Sequence, residues 1–376
     1  MKKTLPRRKS PTLLFLLGLA LFLVILLSAC EWNSLSGAWQ GGGTDAVLKP
    51  DDPPITTADT QADTTVAPAT TTVASTTTGS TTTAPVTTAP TLTYFHPLTG
   101  LPCSQAAAAS RPIAFCVSSA TGTELSAADI VIEAPTEGAA TRLSLVGNSH
   151  FSLFSGLSIA STRPYLAALT HDLFAISVYR GTSNNGFEST EFLYDTVDLS
   201  LSVVERTEAA LRTAIEAAGY QTSVVGSIVL PYSLPAAGES ITPTDRTASY
   251  LAVPFHPEAS TVFTYDAMAK AYTMRSGAAL TTEDGALPTF SNILVLFHDA
   301  TRRSTKDGTE LTLDTERGGY GYYATSGGVQ QIFWRRDPVT SSLILTDKNG
   351  ARLSVNRGRT YVGMTTYDLE NSLILN

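Results

Sequence analysis

The chain has little charge and almost no cysteine. Charged side chains make up 15% of its 376 residues, and only three cysteines are present. No basic block occurs, and 25 Lys and Arg stand against 33 Asp and Glu. This balance gives a nucleic acid no electrostatic footing and leaves the body of the protein without a patch for anionic lipid head groups. The spacings of common catalytic machinery are missing too. There is no CxxC, HExxH, GxSxG, Walker loop or dinucleotide fingerprint. His96, His150, His171, His256 and His298 are scattered, so the sequence identifies no metal site and no cofactor. Ser161 near His171 carries no weight as a nucleophile pair, because hydroxylated residues are abundant throughout.

Charge of one sign is missing from the first residues, where Lys2, Lys3, Arg7, Arg8 and Lys9 meet no acid. An apolar run follows from Leu13 to Leu27 and ends in Leu27-Ser28-Ala29-Cys30. A basic start, an apolar stretch and small residues before a cut site make a secretory signal. The run is shorter than the ~20 residues of a membrane span. The Cys directly after Leu-Ser-Ala resembles the lipobox of bacterial lipoproteins. The resemblance implies a diacylglyceryl group on the Cys30 thiol, cleavage before it, and further acylation of the palmitate class. Two or three acyl chains hold a protein stably where one does not. The expected location is therefore the extracytoplasmic face of the cell membrane. Without the first 29 residues, 20 basic side chains face 33 acidic ones, a net charge of −13.

Residues 31–92 read as a disordered linker. From Thr56 to Thr93, 18 of 38 residues are Thr, and no Asp, Glu, Lys or Arg occurs between Asp63 and Arg111. The Thr-rich part cannot bury enough apolar surface to offset the entropy of ordering it. At ~5–6 Å × √n such a chain spans on average about 45 Å, enough to lift a folded part off a membrane. With Cys30 taken by lipid, Cys103 and Cys116 remain. They form a disulfide if geometry allows, or are two separate thiols.

The rest divides into an α/β part at 93–235, a connection at 236–254 rich in Pro, Gly, Ser and Thr, and a smaller, mostly β part at 255–372. Strands are expected at 113–117, 129–133, 142–146 and 175–179, with a helix at 164–173 opening on Pro164. A second helix is expected at 203–218, started by a Ser202/Glu205 capping box and ended by Gly219. Later strands are expected at 261–266, 270–275, 291–298, 328–334, 342–346 and 351–355, as a small barrel or sandwich.

Several stretches occur together: His96-Pro97-Leu98-Thr99-Gly100-Leu101, Arg111-Pro112-Ile113-Ala114, Ala128-Asp129-Ile130-Val131-Ile132-Glu133-Ala134-Pro135-Thr136-Glu137-Gly138, Thr141-Arg142, Thr162-Arg163-Pro164-Tyr165, Ser291-Asn292-Ile293-Leu294-Val295 and Gly321-Tyr322-Tyr323. In combination they resemble the YerB family of bacterial lipoproteins over about 93–365. The resemblance implies two domains of unknown function, in this order, and no activity. The chain departs from the family pattern at Ser118-Ser119, Ala160-Ser161-Thr162 and Tyr179-Arg180-Gly181, where polar groups of the family are replaced.

Glu133, Glu137, Arg142 and Arg163 are the candidate ligand-binding residues. They fall at strand ends and a helix start, where ligands collect in α/β folds. Two carboxylates there could hold a cation or act as acid and base, and two arginines could grip phosphate or carboxylate. The plainer reading is a charge network in which each Glu pairs with an Arg. Tyr320, Tyr322, Tyr323, Phe333 and Trp334 make either a sugar-stacking platform or ordinary cross-strand packing. The function expected is a non-enzymatic binding or scaffold protein of the cell envelope, with a wall glycan or another envelope protein as partner. The alternative is an enzyme acting on phosphorylated glycan or lipid-linked wall precursors through the Glu/Arg set. A transporter's substrate-binding lipoprotein fits less well, since it needs two similar α/β lobes.

Overall fold

The computed structural model describes residues 93–148, 156–181, 195–198, 207–224, 228–281, 283–305 and 308–376. Cys30, the apolar leader and the Thr-rich linker lie outside them. The described part is strand-rich and belongs to one compact unit that runs to Asn376. No helix among the described residues is long and apolar enough to cross a membrane.

The first half contributes strands β1 (Ile113–Val117), β2 (Ile130–Pro135), β3 (Thr141–Gly147), β4 (Ile176–Tyr179) and β5 (Thr196–Asp198). Its helices are α1 (Gly122–Ala127), α2 (Pro164–Asp172) and α3 (Glu208–Ala217). The second half begins with β6 (Tyr250–His256), β7 (Ala259–Asp266), β8 (Ala271–Ser276), β9 (Thr289–Phe290) and β10 (Asn292–His298). A hairpin of β11 (Ala300–Thr305) and β12 (Gly308–Leu313) follows. Then come β13 (Gly319–Thr325), β14 (Gly328–Arg336), β15 (Leu343–Thr346), β16 (Thr360–Thr366) and β17 (Ile374–Leu375).

Both halves build one mixed sheet, in the order β15-β14-β13-β10-β16-β2-β3-β1-β4-β5. The short strand Arg246–Thr247 adds to β14. The halves meet where β16 lies parallel to β2, with Val362 opposite Ile132 and Gly363 opposite Glu133. Every residue of β2 and β16 is buried, as expected of parallel strands covered on both faces. A second, antiparallel sheet in the order β9-β8-β7-β6-β17 packs on one face of the first. Phe263 and Phe290 from it meet Tyr361 edge-on at 4.7 and 5.7 Å. Such pairs add about 0.5–1.5 kcal/mol each beyond the area they bury. Leu211 and Ile215 of α3 cover the same face further along. The opposite face is covered by Tyr165, Leu166 and Leu169 of α2 and by Leu311 and Leu313 of the hairpin.

The strands of the second half thus form no closed barrel of their own, because five of them complete the shared sheet. Helix α2 starts at Pro164 as its sequence predicts. Helix α3 starts later than expected: Thr207 is extended and its hydroxyl accepts from Ala210 N, so capping occurs there. The Ser202/Glu205 box lies outside the described residues. Gly219, at φ +83°, takes the left-handed position that ends this helix. Residues 351–355 make only isolated bridges, through Arg352 to Thr346 and Ser354 to Ser233. Leu353 is shared between Leu345 on one side and Ser233 on the other, which leaves no continuous ladder.

Candidate functional site

Strand alternation decides what the four charged candidates can do. In the β2–β3 pair, Glu133 faces Leu143 and Ala134 faces Arg142. Successive residues point to opposite faces, so Glu133 and Arg142 lie on opposite sides of the sheet. The four residues therefore do not line one cleft.

Glu133 is fully buried between the two sheets. Its Oε1 accepts from the Thr141 hydroxyl at 2.6 Å, and its Oε2 accepts from Thr261 at 2.8 Å and Tyr361 at 2.6 Å. Burial pushes this carboxyl above its ordinary range, and the three hydroxyl donors only partly offset that. Tyr361 is held well above the usual phenol value, by burial first and then by the charge of Glu133. Thr141 comes from the first half of the chain, Thr261 and Tyr361 from the second. Glu133 is thus a hydrogen-bonded joint between the halves.

On the other face, Arg163 stands at the start of α2, without capping it, and grips Glu137 with two bonds, Nε to Oε1 at 3.0 Å and Nη2 to Oε2 at 2.8 Å. Burial opposes ionisation of Glu137, but the bonds and charge of Arg163 outweigh it, and the carboxyl sits below its ordinary value. Arg142 stands nearby and joins neither carboxylate; its Nη1 reaches only Thr141 O, at 3.4 Å. Cys116 lies on the same face, directly opposite Ser144 of β3. Its thiol donates to Ser161 O at 3.4 Å, and burial pushes its pKa up to about 11.

Cys103 and Cys116 are both free, so the disulfide that the sequence allows is not formed. Cys116 is sealed in the middle of the sheet, whereas Cys103 belongs to a two-residue surface strand paired with Tyr94–Phe95. The aromatic set is divided in the same way. Tyr323 and Trp334 are core residues on the α2 side, and the indole donates to Phe297 O at 3.0 Å. Tyr320 and Tyr322 face the other side, and Phe333 lies opposite Tyr320. The five do not form one platform. Among the described residues, no group of three or more His, Cys, Asp or Glu is placed to hold a metal ion.

Two open clefts lie elsewhere. One, of about 690 Å3, contains His171, Asp172, Phe174 and Arg336. In its lining Arg336 Nη1 donates to both Asp172 carboxylate oxygens, at 2.6 and 2.7 Å, and Leu343 N donates to the same carboxylate. The other, of about 710 Å3, is lined by Phe95, Tyr265, Lys270, Ser291, Asn356 and Arg357 among others. Its walls are rigidly supported. Asn356 exchanges two 2.7 Å bonds with the Ile241 backbone, and Arg357 donates to Pro235 O and Gly100 O. The Arg357 guanidinium lies over the Phe95 ring at 4.7 Å. Tyr265 packs on Tyr272 at 5.0 Å, and Lys270 makes no ion pair among the described residues. Sequence reasoning missed this cleft. Its residues come from six separated stretches, at 95–102, 237–242, 265–270, 291, 325–326 and 356–357, and no local pattern brings them together.

Two family models match the chain. Residues 98–213 match the N-terminal domain, and residues 251–362 the C-terminal domain, of a protein of unknown function, DUF3048. Together they cover more than half of the chain. The crystal structure of the YerB protein from Bacillus subtilis is similar in fold, with a TM-score of 0.57 and 22% identity. That match covers 72% of this chain and 96% of the other. No curated protein matches.

Proposed function

The chain belongs to the YerB-like family of paired domains of unknown function, and on that premise we propose that it is a lipid-tethered binding protein of the cell envelope. Its ligand in this reading is a wall glycan, held in the cleft of Phe95, Tyr265, Lys270 and Arg357. The observation that carries the reading is the contrast between the two kinds of polar site. Glu133, Glu137 and Arg163 are spent on internal bonds, with Glu133 on the far side of the sheet from Arg142. The cleft around Tyr265 is open and mixes aromatic walls with polar groups. Such concave, partly apolar sites with a few fixed polar groups are where ligands bind. Tether, linker and acidic body support the envelope setting: the lipid on Cys30 holds the chain, and residues 31–92 give it reach into the wall.

The enzyme reading needs an acid, a base and a cation within one cleft. Glu133 cannot join the arginines there without turning its strand over, so binding is the better account.

The test is co-sedimentation of the full chain with purified wall glycan. Wild type is expected to pellet with the polymer, and Tyr265→Ala together with Lys270→Ala is expected to release it while Arg163→Ala is not. Wild-type protein that stays in the supernatant overturns the reading. In cells, Cys30→Ala is expected to move the protein from membrane to soluble fractions.

A further inference from the structure

Among the described residues, the Glu137–Arg163 pair leaves Arg142 without a carboxylate. Arg142 shares its face of β3 with Ser144, which lies opposite Cys116, and the Cys116 thiol donates to Ser161 O beside Arg163, whose Nη1 reaches the Ser161 hydroxyl. Among the described residues Arg142 has no carboxylate partner, and its Nε is buried with no hydrogen-bond acceptor. Glu137 is bonded to Arg163 instead. A partly buried guanidinium with a sealed, unbonded Nε gains from an opposite charge that reaches it.

Unused hydroxyls lie at the same place. Ser144 is two residues from Arg142 on β3 and so shares its face. It is 1% exposed, and its Oγ has no partner. Thr162 is fully buried, and its Oγ1 has only the Cys116 thiol beside it, a weak partner. Ser144 and Thr162 flank Cys116 from two elements, one across β1 and one ahead of α2. Helix α2 begins here without a side-chain cap, at the positive end of its dipole. The β2–β3 connection beside these residues is made of small, exposed ones, Gly138, Ala139 and Ala140.

We propose that Arg142, Ser144 and Thr162 form a binding site for a single small oxyanion of the phosphate type. Arg142 offers the fork of N–H donors that matches such an anion bidentately. The Ser144 and Thr162 hydroxyls supply two further donors. Arg163 stays with Glu137 and fixes the start of α2 against the site. The neutral Cys116 thiol lines the floor. The chemistry is common to free inorganic phosphate and to the phosphoryl group of a larger molecule. This site shares no residue with the glycan cleft and stands whether or not that cleft binds glycan.

The experiment is calorimetric titration of the full chain with inorganic phosphate and, separately, with glycerol 3-phosphate, at constant ionic strength in chloride. Saturable binding at one site per chain is expected with at least one of them. Tighter binding of inorganic phosphate marks the free ion as the natural source, and tighter binding of the ester marks a phosphorylated molecule. Arg142→Ala is expected to weaken it by at least about tenfold, the usual loss for a charged hydrogen bond. Ser144→Ala, a smaller change in the same site, is expected to weaken it several-fold while the thermal unfolding midpoint in chloride stays near that of wild type. Absence of saturable binding of both probes, or equal affinity in wild type, Arg142→Ala and Ser144→Ala, overturns the assignment.

Discussion

Glu133 and Arg142 stand on adjacent strands and point to opposite faces of one sheet, because Glu133 pairs with Leu143 and Arg142 with Ala134. That one register separates a joint between the two halves of the chain from a cationic nest beneath α2. It also keeps Glu133 off the face that carries Arg142.

The joint at Glu133 is expected to be pH-sensitive in a definite direction. Its carboxyl is raised in the folded protein above the ordinary 4.5. The unfolded chain gives up this proton more readily, so folding loses stability as pH rises through the folded value and keeps it below 4.5. Denaturant midpoints of wild type and Glu133→Gln, compared at pH 5 and pH 8, should diverge at the higher pH, with Gln the more favoured there. A difference that does not change with pH would rule out a titrating Glu133.

Glu137 and Arg163 should show strong thermodynamic coupling. Their side chains are 21% and 9% exposed and share two bonds, so a double-mutant cycle of Glu137→Gln and Arg163→Gln should give about 2 kcal/mol. Because Glu137 sits below its ordinary value, this contribution is present at neutral pH and disappears as pH falls below 4.5. Additive single mutants would show that the pair contributes nothing.

The two family domains should unfold together. β16 from the second half is hydrogen-bonded to β2 from the first, and Asp172 of α2 holds Arg336 of β14. Removing Asp172 leaves a mostly buried guanidinium without its bidentate partner, so Asp172→Ala should cost about 3–5 kcal/mol. The loss should appear in one transition, by calorimetry, for the whole folded part. Two separate transitions, of which only one moves in Asp172→Ala, would contradict a shared sheet.

Much of the architecture was legible in the sequence, and the exceptions have physical causes. Ile113–Val117, Pro164–Asp172 and Asn292–His298 carry unbroken apolar runs or a proline start, and they appear where expected. Thr360–Thr366 escaped notice because Thr and Gly interrupt its apolar residues, although it is the central parallel strand joining the halves. Ala300–Thr305 is polar and stands in a hairpin outside the main sheet. The charged candidates were visible as residues, but their division between faces depends on a register that no local pattern specifies. Glu137 pairs with Arg163, but Glu133 bonds three hydroxyls and Arg142 meets no carboxylate among the described residues, so a network pairing each Glu with an Arg is not what forms.

The cysteines give an independent check on the same sheet. A thiol pushed up to about 11 and sealed in the core is a poor nucleophile at pH 8. Alkylation of the native full chain, mapped by mass spectrometry, should label Cys103 and spare Cys116 until denaturant is added. Recovery of a Cys103–Cys116 linked peptide without reducing agent would contradict the free pair.

The most direct test of the binding account is an NMR titration of the full chain with soluble wall-glycan fragments. Shift changes that centre on Phe95, Tyr265, Lys270 and Arg357 are the predicted result. No saturable change, or changes confined to residues around Glu133, would contradict it.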